Sequence, residues 1–224
     1  MGPGDMPEPA KSTKSAEVEQ AESNDESRRA LQTEIDRLRA QLTLGDAPSE
    51  GPNPHPEVKG HGQIAEMSLP KGWIEGAPYR FSGGIGTRSF REIHPPDDPN
   101  AMLCFYYRGL PISQEGGQKF HDVLSKPPHD LSPEELKSLS EVLRDKAKPE
   151  DFTRKSARTE ERNGKRVLIV EGRYPGIQEN TSEIFVDASG DGRVVQEIYY
   201  QAPEAVYSKY AQAAEDSMHS IKWK

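Results

Sequence analysis

Cysteine, long apolar runs and clustered basic residues are scarce or missing in this chain of 224 residues. The single cysteine, Cys104, excludes an intramolecular disulfide and a cysteine-based zinc site. Apolar runs such as residues 167–170 fall far short of the roughly 20 residues that a membrane span requires. The net charge of −8, without any massed Lys and Arg, argues against a nucleic-acid partner.

Aromatic residues are missing from the first 60 residues, which hold 12 acidic and seven basic residues but none of the 16 Phe, Trp and Tyr. A core needs such side chains, so we predict a disordered tether over residues 1–62 and a single α+β domain over residues 63–224. The chain does not open on a charged segment followed by an apolar one, so no signal peptide is predicted within it. We expect a soluble protein, either cytoplasmic or the mature exported form of a tethered envelope protein.

One short helix is predicted inside the tether, at about residues 24–44. Its apolar residues are spaced by four, three and four positions, which places them on one stripe of a helix; they are Leu31, Ile35, Leu38 and Leu42. One hypothesis is a lone amphipathic helix that packs on the domain or is marginal in water. The other is a short coiled coil that joins two chains into a weak homodimer.

Periodicity and turn residues predict the elements of the domain. Helical spacing marks residues 113–124 and 132–143, and Pro203 and Glu204 begin a final helix that runs to about residue 219. Alternating or apolar runs mark strands at residues 86–93, 101–108, 152–161, 166–174, 181–187 and 193–201. Because Asn163-Gly164 and the Gly-rich loop after Asp187 favour tight hairpins, the last four strands form an antiparallel meander. The fold class is therefore α+β, an antiparallel sheet of about six strands with helices packed on it as in an α/β/α sandwich.

Two segments carry a resemblance to a known family. They are Leu-Pro-Lys-Gly-Trp at residues 69–73 and the end of the chain, from Ile-Tyr-Tyr-Gln-Ala-Pro-Glu at 198–204 to the helix and Ser-Ile-Lys-Trp that close at 223. With the meander between them, they resemble the PsbP/Mog1-like superfamily over about residues 69–223. The resemblance implies an α/β/α sandwich used for protein binding or assembly, usually without catalysis. The helices predicted at 113–145 are either an insertion in that fold or the mark of a different one.

Three segments could carry chemistry, and each has a simpler structural explanation. The loop from Asp187 to Gly192 resembles the start of a calcium loop, but its twelfth position is Ile198 and a hairpin turn explains it. Residues 83–86 are rich in glycine but lack the spacing of a phosphate-binding loop. Cys104 lies inside a predicted strand, where a small apolar residue is expected. The sequence therefore predicts no catalytic residue, no metal site and no cofactor.

Tyrosines supply the candidate for a partner surface. Tyr106 and Tyr107 are adjacent on one predicted strand, and Tyr199 and Tyr200 are adjacent on another. Since neighbouring strand residues point to opposite faces, each pair places one ring away from any single helix layer. These four residues form an exposed partner surface if only one face is covered, and they are buried if helices cover both.

Two classes of function follow from these patterns. The first is a non-enzymatic protein-interaction domain on a flexible tether, an accessory or scaffold subunit with an unidentified protein partner. The alternative is a small-ligand-binding or hydrolytic domain that uses a cleft beside the sheet. The polar residues expected for that alternative are Arg91, His94, Asp97 and Asp98.

Overall fold

A computed structural model describes residues 61–76, 79–83 and 86–224 of the chain. The helix predicted at residues 24–44, with Leu31, Ile35, Leu38 and Leu42, lies outside the described residues. Nearly all of the tether predicted over residues 1–62 lies outside them as well.

The described residues form one large antiparallel sheet of eight strands and a separate two-stranded pair, β1 and β10. The strands are β1 (Ile64–Glu66), β2 (Ile74–Glu75), β3 (Tyr79–Gly83), β4 (Gly86–His94), β5 (Met102–Tyr107), β6 (Thr153–Arg162), β7 (Lys165–Tyr174), β8 (Glu179–Asp187), β9 (Val195–Pro203) and β10 (Lys222–Trp223). The large sheet runs in the order β2, β4, β5, β9, β8, β7, β6, and β3 pairs with the same β4.

The last four strands of the large sheet form the predicted meander. Strands β6 to β9 are neighbours in chain order, and each pair is antiparallel. At the first hairpin Asn163 and Gly164 adopt φ values of 50° and 83°, the left-handed backbone that a tight turn requires. The prediction of an α+β fold built on an antiparallel sheet is confirmed.

Within residues 86–224 the structure also contains four helices and a 3-10 helix. They are α1 (Gln114–Ser125), α2 (Pro133–Ser138), α3 (Ser140–Leu143), the 3-10 helix Arg144–Ala147 and α4 (Glu204–His219). The single helix expected over 132–143 is broken at Leu139, which has φ −92° and ψ 19°. The break lets α3 turn Val142 and Leu143 into the core, whereas α2 buries none of its own residues.

The sheet is covered by helices on both faces, and β7 shows this best. Val167 and Ile169 belong to the apolar cluster beneath α4, and Leu168 and Val170 belong to the cluster beneath α1 and α3. A strand segment buried on both faces is apolar at consecutive positions rather than alternating, as residues 167–170 of β7 are. We call the two sides of the sheet the α4 face and the α1 face. The α/β/α layering expected from the sequence is therefore present.

Four strands, β1, β2, β3 and β10, were not predicted, and β2 and β3 give the large sheet eight strands rather than about six. Strands β1, β2 and β10 have two or three residues each, too few to show a period of two. Their backbone hydrogen bonds are made to distant partners, as in the pairing of Ile64 with Trp223. Such short strands form only because the rest of the fold places a distant segment of backbone where they can pair with it.

No helix in the described part of the chain has the combination of length and apolar character that crossing a membrane requires.

Candidate functional site

Strand register decides which way each of the four candidate tyrosines faces. Cys104 lies opposite Tyr199, and Leu103 lies opposite Tyr200. Residues directly opposite each other share a face of the sheet, so Tyr106 and Tyr199 point to the α1 face. Tyr107 and Tyr200 point to the α4 face. The four residues therefore do not form one continuous surface.

Tyr200 belongs to the core rather than to the surface. It is 1 % exposed, and its hydroxyl donates a 2.9 Å hydrogen bond to the carbonyl of Tyr207. Its ring also packs against those of Trp73 and Tyr207. Burial raises the pKa of its hydroxyl. Tyr200 consequently offers nothing to a partner.

On the α1 face, aromatic side chains from three neighbouring strands remain half-buried. Phe90 of β4 lies opposite Tyr106 of β5, with their ring centroids 6.4 Å apart in an edge-on arrangement. Met102 and Tyr199 belong to the same face and are also half-buried. The guanidinium carbon of Arg144 lies 5.9 Å from the centre of the Tyr106 ring. We call this group, Phe90, Met102, Tyr106, Arg144 and Tyr199, the tyrosine face.

Arg144 reaches Tyr106 from a backbone conformation that L-residues rarely adopt. Its φ is 54° and its ψ is −119°, at the junction between α3 and the 3-10 helix. Holding a non-glycine residue in such a region costs on the order of 1–3 kcal/mol. The same turn carries Lys146 into the interior, where it is 7 % exposed. One strained position thus places one cation on the surface and another inside.

Beneath the helices of the α1 face lies a buried ion cluster of Arg108, Lys146, Glu183 and Glu197. Arg108 Nε donates to Glu197 Oε1 at 2.5 Å, and its other nitrogens donate to the carbonyls of Glu141 and Val142 in α3. Lys146 Nζ lies 2.8 Å from Glu183 Oε2. None of the four residues is more than 7 % exposed. Two cations and two carboxylates therefore meet away from water.

The two carboxyl groups of this cluster differ in acidity. Burial raises the pKa of Glu183 well above its ordinary value, despite the opposing charge of Lys146. Burial also acts to raise the pKa of Glu197, but hydrogen bonds from Glu183 and the charge of Arg108 leave it below its ordinary value. When one proton is bound by the pair, Glu183 therefore holds it. Such a carboxylic acid beside a carboxylate has the chemistry of a general acid and base.

Access to solvent determines what this cluster can do. Neither of the cavities described next is lined by any of its members. Arg108 joins the sheet to the carbonyls of α3, and Lys146 joins the 3-10 helix to β8. The cluster therefore fastens the helical segment to the sheet beside the tyrosine face.

Two of the cavities at the surface are lined entirely by residues that the structure describes. The larger, of about 590 Å³, lies between α4 and strands β6, β7 and β8 on the α4 face. The smaller, of about 470 Å³, is lined by residues that include His121, Lys165 and Asp187. The larger one has a helix wall from α4 and a floor formed by three strands of the sheet.

The loop after β8 uses the carboxylate of Asp187 to hold its own backbone. The two carboxylate oxygens accept hydrogen bonds from the amides of Ser189, Gly190 and Gly192, at 2.8–3.0 Å. The Asp187 carboxylate therefore stabilises the backbone of the turn, which agrees with the explanation of this loop as a hairpin turn. Among the described residues, no group of three His, Cys, Asp or Glu could hold a metal ion.

The polar residues expected for a ligand cleft are each engaged elsewhere. Arg91 forms a bidentate pair with Glu75, at 2.6 and 2.8 Å. His94 Nδ1 lies 2.8 Å from the carbonyl of Pro95. Asp97 contacts Lys209 and Tyr210 of α4, and Asp98 accepts from the amide of Asn100. These residues share no common partner.

Two further candidates have clear positions in the sheet. Cys104 is fully buried on β5, and burial strongly raises the pKa of its thiol. Gly83 and Gly86 pair at the end of the β3–β4 hairpin, and residues 84–85 between them lie outside the described residues. A thiol without water or a base at hand is a poor nucleophile.

Sequence reasoning missed the ion cluster entirely. A signal was present in β8, where alternation places Thr181, Glu183 and Phe185 on one side of the strand. A glutamate that shares a face with a core phenylalanine must be buried, and a buried charge needs a partner. Strand alternation could not identify which residues pair within the cluster, because Arg108 and Glu197, for example, are 89 positions apart in the chain.

In class, the described chain is an antiparallel α/β/α sandwich with an internal ion cluster and a half-buried aromatic surface. No family model matches it, and no curated protein matches it in sequence. Among solved structures it is similar to the solution structure of cyanobacterial PsbP from Synechocystis, with a TM-score of 0.45 and 11 % identity, over 81 % of this chain and 99 % of that one. This is a likeness of fold, and it says nothing about activity.

Proposed function

We propose that this chain is a non-catalytic protein-interaction domain, an accessory or scaffold subunit that binds a partner protein through the tyrosine face. The observation that supports the proposal is the composition of that face. Tyr, Phe, Met and Arg are the residues enriched where proteins bind one another, and Tyr and Arg contribute most of the binding energy. Here Phe90, Met102, Tyr106 and Tyr199 lie half-buried on adjacent strands, with the exposed Arg144 beside Tyr106.

Preorganisation also supports the proposal. Tyr106 and Tyr199 belong to central strands of the sheet, and Arg144 is held by the turn that the buried Lys146–Glu183 pair anchors. A rigid surface loses little conformational entropy when a partner binds. The pair of carboxyl groups that has acid–base chemistry is sealed inside the domain, so it supports the fold rather than turnover.

The test compares two neighbouring tyrosines on opposite faces. Wild-type chain, Tyr106→Ala and Tyr107→Ala are used for affinity capture from the native lysate, and captured proteins are identified by mass spectrometry. We expect one protein to be captured by wild type and by Tyr107→Ala, and lost with Tyr106→Ala. Thermal melts of all three must show a folded chain.

Three other results contradict the proposal in different ways. Equal capture by both variants would mean that the partner binds elsewhere on the domain. Capture of this same chain alone, with a doubled solution mass, would mean that the face joins two copies. No capture by any variant would favour the alternative class, a small-ligand-binding domain.

A further inference from the structure

The α4 face of the sheet carries a cleft that is separate from the tyrosine face. Helix α4 makes its most extensive sheet contacts with β8 and β9, and a space of about 590 Å³ lies between the helix and strands β6 to β8. Its floor comes from β6 to β8 and its wall from α4. This volume is typical of small-ligand sites.

Most of the charges near the cleft are already neutralised in pairs. Arg173 Nη2 lies 2.8 Å from Glu204, and Glu215 lies 2.8 Å from Arg162. Glu171 accepts from the hydroxyl of Ser156 at 2.8 Å and lies 3.5 Å from Arg158.

Two cations of the lining are not in such pairs. Arg154 points away, since its Nη2 donates to the carbonyl of Lys146 on the opposite side of the sheet. Lys155 is exposed at the rim. The cleft as a whole therefore offers little that would select an ionic ligand.

Neutral hydrogen-bonding groups supply the rest of the lining. Asn180 and Ser182 lie on the floor, and Ser208 and Gln212 lie on the helix wall, where Gln212 Nε2 also donates to Asp216 Oδ1 at 2.8 Å. Amides and hydroxyls each donate and accept, so they match a ligand with many hydroxyl groups.

An aromatic ring completes this set. Tyr207 lines the cleft and is half-buried, and one side of it packs on Tyr200 with centroids 4.9 Å apart. Burial raises the pKa of its hydroxyl to about 12, so the group is a donor at neutral pH. Aromatic rings also cover the apolar C–H surface that sugars present beside their hydroxyls.

We propose that the cleft between α4 and strands β6 to β8 binds a neutral saccharide. Asn180, Ser182, Ser208 and Gln212 would hydrogen-bond its hydroxyl groups, and Tyr207 would contact its C–H face. No chemical step is assigned to the site. The inference is independent of the protein-binding function proposed above.

The test is a two-dimensional ¹H–¹⁵N NMR titration of the full chain. The neutral probes are maltose, cellobiose and diacetylchitobiose, and the charged probes are glucose 6-phosphate and glutamate. We expect at least one neutral saccharide to shift the amides of Asn180, Ser182 and Ser208, with affinity at least about tenfold above that for either charged probe. Equal or tighter binding of a charged probe, or no shift with any neutral saccharide, would overturn the proposal.

Two variants locate the binding, and a third serves as their control. Ser208→Trp fills the cleft from an exposed helix position, and Asn180→Ala removes a hydrogen-bonding group without adding bulk. Gln118→Trp places the same large side chain at an exposed position of α1, on the other side of the sheet.

We expect the shifts to vanish with Ser208→Trp, to weaken with Asn180→Ala and to persist with Gln118→Trp. If Ser208→Trp does not fold, the result with Asn180→Ala alone tests whether the saccharide binds in the cleft. Shifts unchanged in either folded cleft variant would overturn the site.

Discussion

At the scale of single residues, the buried ion pairs and the strained Arg144 distinguish this domain from a plain hydrophobic sandwich. Arg108 is 1 % exposed, and its guanidinium donates hydrogen bonds to Glu197 and to two carbonyls of α3. Removing charged groups from water is costly, and pairing with hydrogen-bonded partners offsets part of that cost. The cluster is therefore sensitive to the loss of any one member.

Glu197→Gln tests this sensitivity. The substitution leaves the buried guanidinium of Arg108 without its direct anionic partner. We therefore expect the free energy of unfolding to fall by about 3–5 kcal/mol. Urea denaturation at neutral pH measures the change. Glu115→Gln is the control, because the Glu115–Lys119 pair is largely exposed and is worth about 1 kcal/mol or less. Equal effects of the two substitutions would show that burial of the pair is unimportant.

Arg144→Gly separates stability from partner binding at one position. Glycine adopts the backbone of residue 144 without strain, although it also adds entropy to the unfolded chain. We expect a net stabilisation of about 1 kcal/mol in a urea melt, together with weaker partner capture because the cation above Tyr106 is lost. Weaker capture from a destabilised variant would instead indicate that the turn has collapsed.

At the scale of elements, the hairpins were predictable because their turn residues act locally. Asn163-Gly164 adopts left-handed backbone wherever it occurs in a tight turn, so the β6–β7 hairpin can be placed from sequence. The break at Leu139 could not be placed in this way. It serves the burial of Val142 and Leu143 under the sheet, and that requirement comes from residues far along the chain.

The contact between α1 and the loop after β8 predicts different costs at two glycines. Gly190 and Gly192 have φ values of 82° and 77°, so alanine at either residue is strained by about 1–2 kcal/mol. A Cβ at Gly190 meets open space, whereas one at Gly192 would overlap the carbonyl of Gly117 in α1. We expect Gly192→Ala to cost about 1–3 kcal/mol more than Gly190→Ala in urea melts. Equal losses of unfolding free energy for the two substitutions would mean that α1 shifts to accommodate the added Cβ without cost.

The start of α2 carries a pH-dependent contribution to stability. Ser132 and Glu135 form a capping box, and Lys126 and His129 also contact the Glu135 carboxylate. The hydrogen bond from Lys126, followed by that from the Ser132 amide, lowers the pKa of Glu135 to about 2. A lowered carboxyl pKa stabilises the fold above the ordinary value near 4.5, and the contribution is lost as the pH falls from there towards 2.

Glu135→Gln should therefore destabilise the domain only where the carboxylate is charged. Because the site is near the surface, we expect a loss of about 1 kcal/mol or less at pH 6, falling to roughly a quarter of that value near pH 2.5. Urea melts at the two pH values measure it. Glu134→Gln, one residue earlier and exposed, is the control and should show less than half of the effect. A loss that grows at low pH would reverse the assigned sign.

At the scale of the whole molecule, the two faces of the sheet have separate roles in our proposals. The tyrosine face offers aromatic and cationic groups suited to a protein, and the cleft beside α4 offers neutral polar groups suited to a sugar. The two sites lie on opposite faces of the sheet, so one could act without the other.

Pairing of two chains through residues 24–44 is tested by mass. If the stripe of Leu31, Ile35, Leu38 and Leu42 joins two copies, the wild-type chain shows a mass that rises with concentration in light scattering. Leu38→Asp should return it to a monomer, because a carboxylate would be buried in the seam. Ala40→Asp adds the same charge on the opposite side of the expected helix and should leave the mass unchanged. A monomeric wild-type chain at all concentrations would contradict the coiled-coil hypothesis.

The sequence by itself determined the meander, the positions of α1 and α4, and the antiparallel α+β class. These features depend on residue spacing and turn chemistry, which act over a few neighbours. Tertiary structure alone decided that β5 pairs with β9, which side each tyrosine takes, and where the short strands form. It also decided the ion cluster and the cleft, because both depend on residues that are far apart in the chain and meet only when the sheet is complete.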